Sequence, residues 1–379
     1  MQTEVATPLL GGLSPACFMR RHWQRRPLLV RQALPGVQPP LDRAALFALA
    51  GRDDVESRLV LREGRRWRLR HGPFARRALP SPARPGWTLL VQGLDLHVEA
   101  AHALLGRFRF VPDARLDDLM VSYASDGGGV GPHLDSYDVF LLQVHGRRRW
   151  RVGRARDTTL RVDAPLKLLR RFEPEHEWLL EPGDLLYLPP NWAHDGVAEG
   201  ECMTCSVGFR APRRARLGRE VLQALIDAVE DEGRDPLYAD AGAPACARAA
   251  RIPQRLQDFA REAVQSLLDA PRALECALGE VLSEPKPGVV FERNARARLG
   301  ARGLRLDRRS RMLYDDRHVY LNGEAFRAGG RDARALRRLA DDRRLPARDT
   351  LASSDEARAL LAQWLQAGWV HAERAGEGE

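Results

Sequence analysis

VSYASDGGGVGPHLDSYDVFLLQVHGRRRWRV, residues 121–152, decides how this chain is read. It reads as a strand, a glycine-rich turn, a second strand, and a short turn at HGR into a third. His133-Leu134-Asp135 sits inside it. In an extended segment residues i and i+2 point to the same face, so the His133 imidazole and the Asp135 carboxylate can converge on one point. The preceding GGGVGP lets the backbone turn tightly and is expected to leave that point uncrowded.

Outward from this stretch, residues 116–210 are dense in strand signals, with turns marked by GGG, HGR, PGD and PP. Several short strands between such turns favour a barrel or double-sheet roll. A strand in LEPGDLLYLPPNWAHDGVA, residues 180–198, brings His194 back towards the first pair. Two histidines and one carboxylate with open positions left over form the facial triad of non-haem Fe(II) chemistry rather than a closed zinc site. The competing reading of His133 and Asp135 is a surface hydrogen-bonding pair. His145 falls in the HGR turn, and His176 lies beside Glu173, Glu175 and Glu177. His22, His71, His97, His102, His318 and His371 lack a ligand-spaced partner and read as structural or solvated.

Strand parity in RRRWRV puts Arg148, Trp150 and Val152 on one face and Arg147, Arg149 and Arg151 on the other. A guanidinium among apolar neighbours needs an anion. The distal carboxylate of a dicarboxylate co-substrate would serve, its keto-acid end chelating the metal; the alternative is an internal salt bridge. On the preceding strand Asp118, Met120 and Ser122 share a face, so Ser122 can donate to the same distal carboxylate and Asp118 lies near the pocket. Tyr137 continues the face of His133 and Asp135.

Elsewhere, Ser14-Pro15 reads as an N-cap and first helical residue. PLLVRQ, SRLVLREG, RRWRLRHGPF and TLLVQGLDL read as strands, Asp42 to Gly51 and HVEAAHALLGRF as helices. From Arg213 to about Pro285 the period becomes helical: Leu217, Val221, Leu222, Leu225, Ile226 and Val229 mark one helix. Leu256, Phe259, Val264 and Leu267 mark a second beginning at Pro253, and a third begins at Pro271. From Pro287 on, RMLYDD and HVYLNGEAF suggest a hairpin and ARALRRLAD a helix. Ser353 and Glu356 read as a capping box for a helix through Ala367 with Leu360, Leu361 and Trp364 buried, WVHAER as a last strand, and AGEGE as a disordered tail.

The 379 residues suffice for two or three domains. No apolar run approaches a membrane span, and no charged segment precedes an apolar one at the start, so a soluble, cytoplasmic, unexported protein is expected. The net charge of +9 invites a nucleic-acid reading. However, Lys167 and Lys286 are the sole lysines, and the arginines are scattered through an alanine-rich chain, as a GC-rich coding sequence alone would give. Cys17, Cys202, Cys205, Cys246 and Cys276 are odd in number and scattered, against a disulfide framework. In a strand the sulfurs of Cys202 and Cys205 would point to opposite faces, so that CxxC reads as buried cysteine.

Residues 127–153 and 180–198, with CSVGFRAP at 205–212 and LGGLSPACFMRRHWQRRPLLVRQALPG at 10–36, resemble the bacterial JmjC ribosomal oxygenases. The resemblance is dense through Arg213 and looser beyond. It implies a mainly β double-stranded β-helix core (jelly-roll, cupin, JmjC) with flanking helices, then an α-helical dimerisation bundle and a small α+β winged-helix-like domain. The corresponding divisions are 1–90 as N-terminal flank of the catalytic domain, 91–212 as its core, 213–285 as the dimerisation region and 286–379 as the winged-helix-like domain. It further implies Fe(II), with 2-oxoglutarate and O2 as co-substrates, and hydroxylation of the β-carbon of an arginine in the sixteenth large-subunit ribosomal protein. By motif, His133, Asp135 and His194 are the iron ligands, Arg148 the 2-oxoglutarate arginine and Ser122 its supporting hydroxyl. An arginine target needs a polar or acidic pocket, for which Asp118, Tyr137 and Ser206 are the candidates.

Other readings are hydroxylation of histidine or demethylation of lysine by the same chemistry, a non-enzymatic cupin-like scaffold, and a nucleic-acid-binding regulator with a cupin core. The last requires arginines gathered on one face of a recognition helix, and ARALRRLADDRR mixes both signs.

Overall fold

The computed structural model describes residues 2–64, 66–228, 236–245, 248–269 and 271–373. Val229, Cys246 and the tail 375–379 lie outside them. The chain divides into two compact units, Met1–Ala211 and Pro212–Glu379.

In the first unit the helices are α1 (Pro15–Arg21), α2 (Arg43–Leu49) and α3 (Glu99–Gly106). The strands are β1 (Leu28–Val30), β2 (Ser57–Glu63), β3 (Arg66–His71), β4 (Trp87–Val91), β5 (Leu116–Ala124), β6 (Val139–Arg154), β7 (His176–Leu180), β8 (Leu185–Leu188) and β9 (Trp192–Phe209). Among the described residues these nine strands form one antiparallel sheet in the order β1-β8-β6-β9-β5-β4-β2-β3, with β7 also paired to β6. Ser14 and Asp42 cap α1 and α2 as the sequence predicts, each accepting from the backbone N–H three residues on.

Two strands are long, not short as expected. β6 and β9 pair from Val139↔Gly208 to Arg154↔Trp192. The first part of β6 is bonded on its other edge to β8 and the last part to β7, so the pair is shared between two layers. That sharing rolls the sheet into a double-stranded β-helix. HGR is correspondingly not a chain reversal: the register shifts between Gln143 and His145 and again between His145 and Arg147, with Gly146 at φ +61°. These are bulges, which bend a strand without ending it. The second strand read at residues 133–144 starts only at Val139; His133 is held by an isolated bridge to His194, and 134–138 is irregular.

Alternation along β6 divides the interior in two. Phe140, Leu142 and Val144 join a core with Phe18, Trp23, Phe108, Tyr187 and Phe209, where the flanking helices pack. Val139, Leu141, Trp150 and Val152 face a smaller cluster with Leu180, Leu186 and Leu188 inside the roll. Fully burying each such side chain contributes roughly 1.5–3 kcal/mol. The buried Asp138 carboxylate accepts from the Tyr187 hydroxyl (2.6 Å) and Gln24 Nε2 (3.1 Å), fastening the chain after α1 to the strands.

The second unit begins with α4 (Arg214–Asp227), α5 (Gln254–Asp269) and α6 (Ala273–Ser283). Val221, Leu225 and Ala277 form a small core between α4 and α6, whereas α5 buries no residue: Leu256 is 38% and Val264 58% exposed. α6 also packs on the strands that follow, with Gly279 against the Tyr320 ring and Ser283 Oγ accepting from Gly323 N (3.1 Å). Those strands are β10 (Leu304–Leu306), β11 (Met312–Tyr314), β12 (His318–Leu321) and β13 (Glu324–Arg327). HVYLNGEAF is two strands, because Asn322 and Gly323 both take positive φ in a two-residue hairpin turn. α7 (Gly330–Asp342), β14 (Arg344–Leu345), α8 (Ala347–Ala352), α9 (Asp355–Ala367) and β15 (Val370–Ala372) complete a winged-helix-like arrangement around Leu306, Leu336, Leu361 and Trp364. The α9 cap is Ser354, which accepts from Ala357 N; Ser353 instead donates to the Asp349 carbonyl at the end of α8.

A Cβ at Gly146 would collide with the Glu201 carbonyl, and its φ disfavours other residues. Gly146→Ala is expected to cost about 2 kcal/mol, lowering the calorimetric midpoint of the first unit by about 5 °C.

Candidate metal centre and co-substrate pocket

His133 and His194 meet through reciprocal backbone hydrogen bonds, each N–H to the other's carbonyl at 3.0 Å. Their ring centroids are 4.2 Å apart. Each imidazole Nδ1 faces the carbonyl two residues before it, Gly131 at 2.8 Å and Trp192 at 3.0 Å. A carbonyl only accepts, so Nδ1 carries the proton in both rings and Nε2 is left with its lone pair. Asp135 Oδ2 lies 3.6 Å from His194 Nε2. One ligand atom from each of His133, Asp135 and His194 lies within 4.8 Å of the others. Ligands about 2.1 Å from a shared ion stand about 3 Å apart in neighbouring positions, so an ion would draw this trio in slightly. Burial, then the neighbouring His133, push His194 down to about 4, keeping it neutral as a ligand must be at pH 7.

The glycines before His133 serve close packing rather than open space. A Cβ on Gly128 would strike the Trp87 carbonyl, and one on Gly131 would stand 2.9 Å from Leu168 and 3.0 Å from Trp67.

β6–β9 register sets Val152 opposite His194 and Arg148 opposite Ala198. Arg148 and Trp150 therefore face the interior that holds the triad, Trp150 at 5.8 Å from the His194 ring. Arg148 is 4% exposed; its Nη1 donates to Ser122 Oγ at 2.9 Å, while Nε and Nη2 have no hydrogen-bond partner. Trp150 Nε1, beside it, is also buried and unpartnered. Among the described residues no carboxylate pairs with Arg148, which sets aside the internal salt bridge. A buried cation with two vacant donor groups is several kcal/mol out of balance until an anion arrives. The residues present therefore fit both a divalent ion and an anionic ligand reaching towards Arg148 and Ser122.

The other predicted residues fall around the same face. Asp118 pairs with Gly208 across β5–β9, Met120 with Ser206, and Ser122 with Thr204. Asp118 is buried, its Oδ2 accepting from Gln92 Nε2 (2.7 Å) and Gly93 N (2.9 Å). Tyr137 is partly exposed at the surface, and desolvation of its hydroxyl, then the Asp135 and Asp118 charges, raise that hydroxyl well above its ordinary value. Sequence reasoning missed Trp150 Nε1, Gln92 and the two carbonyls that fix the imidazoles. Only the spacing of Gly131 and Trp192, two before each histidine, is visible in sequence. His145 is exposed, and Cys202 and Cys205 are free, buried and in different clusters, as parity requires.

A β-helix roll holding two histidines and a carboxylate beside an unpaired buried arginine defines a metal-dependent protein of the JmjC class. Residues 103–217 match the JmjC domain family and residues 261–371 the ROXA-like winged helix. The chain is 38% identical over 271 residues to the ribosomal protein uL16 3-hydroxylase of Escherichia coli strain K12, covering 71% of each. It is 37% identical over 210 residues to a probable ribosomal oxygenase of Haemophilus influenzae, covering 54% of this chain and 52% of that one. The crystal structure of E. coli YcfD superposes with a TM-score of 0.83 at 32% identity, covering 95% of this chain and 98% of that one. YcfD in complex with cobalt and 2-oxoglutarate gives 0.78 at 33% identity over 94% and 97%. This chain belongs to the bacterial JmjC ribosomal oxygenases.

His133→Ala or Asp135→Ala is expected to weaken Co(II) binding by about 100-fold or more in titration calorimetry, and His145→Ala to leave it unchanged.

Proposed function

We propose that this protein is an Fe(II)- and 2-oxoglutarate-dependent oxygenase that hydroxylates the β-carbon of an arginine in the large-subunit ribosomal protein uL16. The observation that carries the reading is the unpaired Arg148 guanidinium inside the roll that holds the triad, in a chain related to a uL16 3-hydroxylase. His133, Asp135 and His194 are the metal ligands; Arg148, with Ser122, receives the distal carboxylate of 2-oxoglutarate. When bound, the metal with 2-oxoglutarate and O2 supplies the oxidant that converts one C–H bond to C–OH, while 2-oxoglutarate leaves as succinate and CO2. The protein's part is positioning and exclusion of water. The roll keeps Trp150, Val152, Leu141 and Leu188 around the site, and the Gly131 and Trp192 carbonyls hold both imidazoles in the ligating tautomer.

Asp118, Tyr137 and Ser206 are the residues assigned to the target arginine. Asp118 supplies the charge; the Tyr137 hydroxyl, kept protonated well above neutral pH, and Ser206 supply hydrogen bonds. Among the described residues no helix is long and apolar enough to cross a membrane. A ribosomal-protein substrate favours a cytoplasmic site for the reaction.

Mass spectrometry of ribosomal proteins tests the reading. Cells lacking this protein are expected to lose one oxygen atom's mass from a single uL16 arginine; the wild-type gene restores it and Arg148→Met does not. An unmodified wild-type uL16 rejects the substrate.

The second unit suits self-association. Leu222 and Ile226 on α4 and Leu256, Val264 and Leu268 on α5 are 38–58% exposed, an apolar surface that a homodimer would cover. Leu256→Asp with Val264→Asp is expected to halve the solution mass in sedimentation equilibrium without altering 2-oxoglutarate affinity.

A further inference from the structure

Three buried nitrogens on one face of β6 have no hydrogen-bond partner: Arg148 Nε, Arg148 Nη2 and Trp150 Nε1. The Arg148 pair forms one edge of the guanidinium, the edge that a carboxylate takes with two parallel bonds. The other Arg148 nitrogen, Nη1, is occupied by Ser122 Oγ at 2.9 Å. Ser122 is engaged on both sides, because the same hydroxyl donates to the Thr204 carbonyl at 3.4 Å. It holds the guanidinium in place, and to donate to an incoming anion it must give up that long contact. Trp150 gives up nothing.

The place of Trp150 suits a third donor. Register sets Arg148 opposite Ala198, Trp150 opposite Gly196 and Val152 opposite His194, so the indole stands between the guanidinium and the second histidine. Arg148 Cζ lies 5.8 Å from the indole ring, and the His194 ring is also 5.8 Å from it. The six-membered edge of the indole is seated on Gly196, where a Cβ would stand 2.7 Å from Cη2 and Cζ3 and 2.9 Å from Cε3. Nε1 belongs to the opposite edge, turned away from that contact. An indole N–H only donates, and when buried it usually finds a partner. An orphan indole alone would say little, since Trp364 Nε1 in the core of the second unit is another. At Trp150 it stands beside two unpartnered donors of a buried cation.

A carboxylate has about four lone-pair sites, and the guanidinium edge fills two, which leaves room for a third donor. We infer that Trp150 binds the distal carboxylate of the co-substrate together with Arg148, through its indole N–H; this rests on the function proposed above. The indole makes the pocket selective for a keto acid with a second carboxylate, because a monocarboxylate leaves all three buried donors unmet.

The test is titration calorimetry of 2-oxoglutarate into the full-length Co(II)-loaded protein. 2-Oxobutyrate, which has the same keto-acid end and no distal carboxylate, is measured alongside. Trp150→Phe keeps an aromatic ring and removes the donor. It is expected to raise the 2-oxoglutarate Kd about tenfold, while the 2-oxobutyrate and Co(II) affinities stay within about twofold. In the wild-type Zn(II)-loaded protein, isotope-labelled at its indole nitrogens, one indole N–H resonance is expected to move downfield when 2-oxoglutarate is added. That resonance is absent from Trp150→Phe. A merely structural role would weaken both keto acids and Co(II) alike and overturns the inference, as does an unchanged 2-oxoglutarate Kd. If Trp150→Phe fails to fold, the wild-type spectrum decides, and no indole resonance moving on 2-oxoglutarate overturns it. A wild-type protein that binds Co(II) but no 2-oxoglutarate overturns the co-substrate reading first, and this inference with it.

Discussion

The site depends on one pairing, β6 with β9. The two strands stay bonded from Val139↔Gly208 to Arg154↔Trp192, and the register from Arg147↔Glu199 onward decides which residues meet beside the triad. It aligns Val152 with His194 and Arg148 with Ala198, and the bridge between His133 and His194 extends the same ladder to the first ligand. A slip of one residue would turn Arg148 and Trp150 outward and the Arg147 row inward. The bulges around Gly146 shift the register and let the pair turn from one layer to the other while it stays bonded. The triad and the buried Arg148 guanidinium beside it are therefore consequences of one ladder.

That ladder holds charges which the protein does not balance itself. A guanidinium 4% exposed with two unpartnered donor groups is a standing cost. The cost is tolerated because the large aromatic core on the other side of the sheet, with Phe18, Trp23, Phe140, Tyr187 and Phe209, holds the strands in place independently of the site. Gly196 contributes from the β9 side, since a Cβ there would stand 2.7 Å from the Trp150 ring. The unpartnered donor groups at the site are thus supported by ordinary packing elsewhere.

What sequence made legible was what short-range parity controls. The i, i+2 relation of His133 and Asp135, the buried face of Arg148, Trp150 and Val152, and the shared face of Asp118 and Ser122 follow from the period of a strand. Parity failed where backbone continuity was at issue. HGR carries the composition of a turn, yet Gly146 supplies a bulge, and nothing local distinguishes the two. RMLYDD and HVYLNGEAF do form a hairpin, but the NG within the second segment adds another turn, and Ser353 and Ser354 differ as caps only through the end of α8 before them. Long-range polar partners were invisible: SRLVLREG offers no hint that Arg58 will donate to Gln92, because separate strands must first align. The exposed stripe of α5 is another case, since periodicity shows that a helix has an apolar face but not what covers it.

The basic composition also takes a different meaning once charges are placed. Arg43 pairs with Glu201, Arg84 with Glu63, Arg149 with Glu177 and Glu199, Arg151 with Asp195 and Arg161 with Asp163. These partly exposed pairs spend much of the positive charge locally and contribute little to stability. α9 opens with Asp355 and Glu356, the wrong sign for a helix approaching phosphates. The charges that discriminate are few and internal. On one face of β5, Ser122 leads to Arg148, and four residues earlier Asp118 answers with the opposite sign, about 13 Å away at strand spacing. Under the function proposed above, an anionic co-substrate and a cationic target would be sorted along a single strand, each drawn to the end that repels the other.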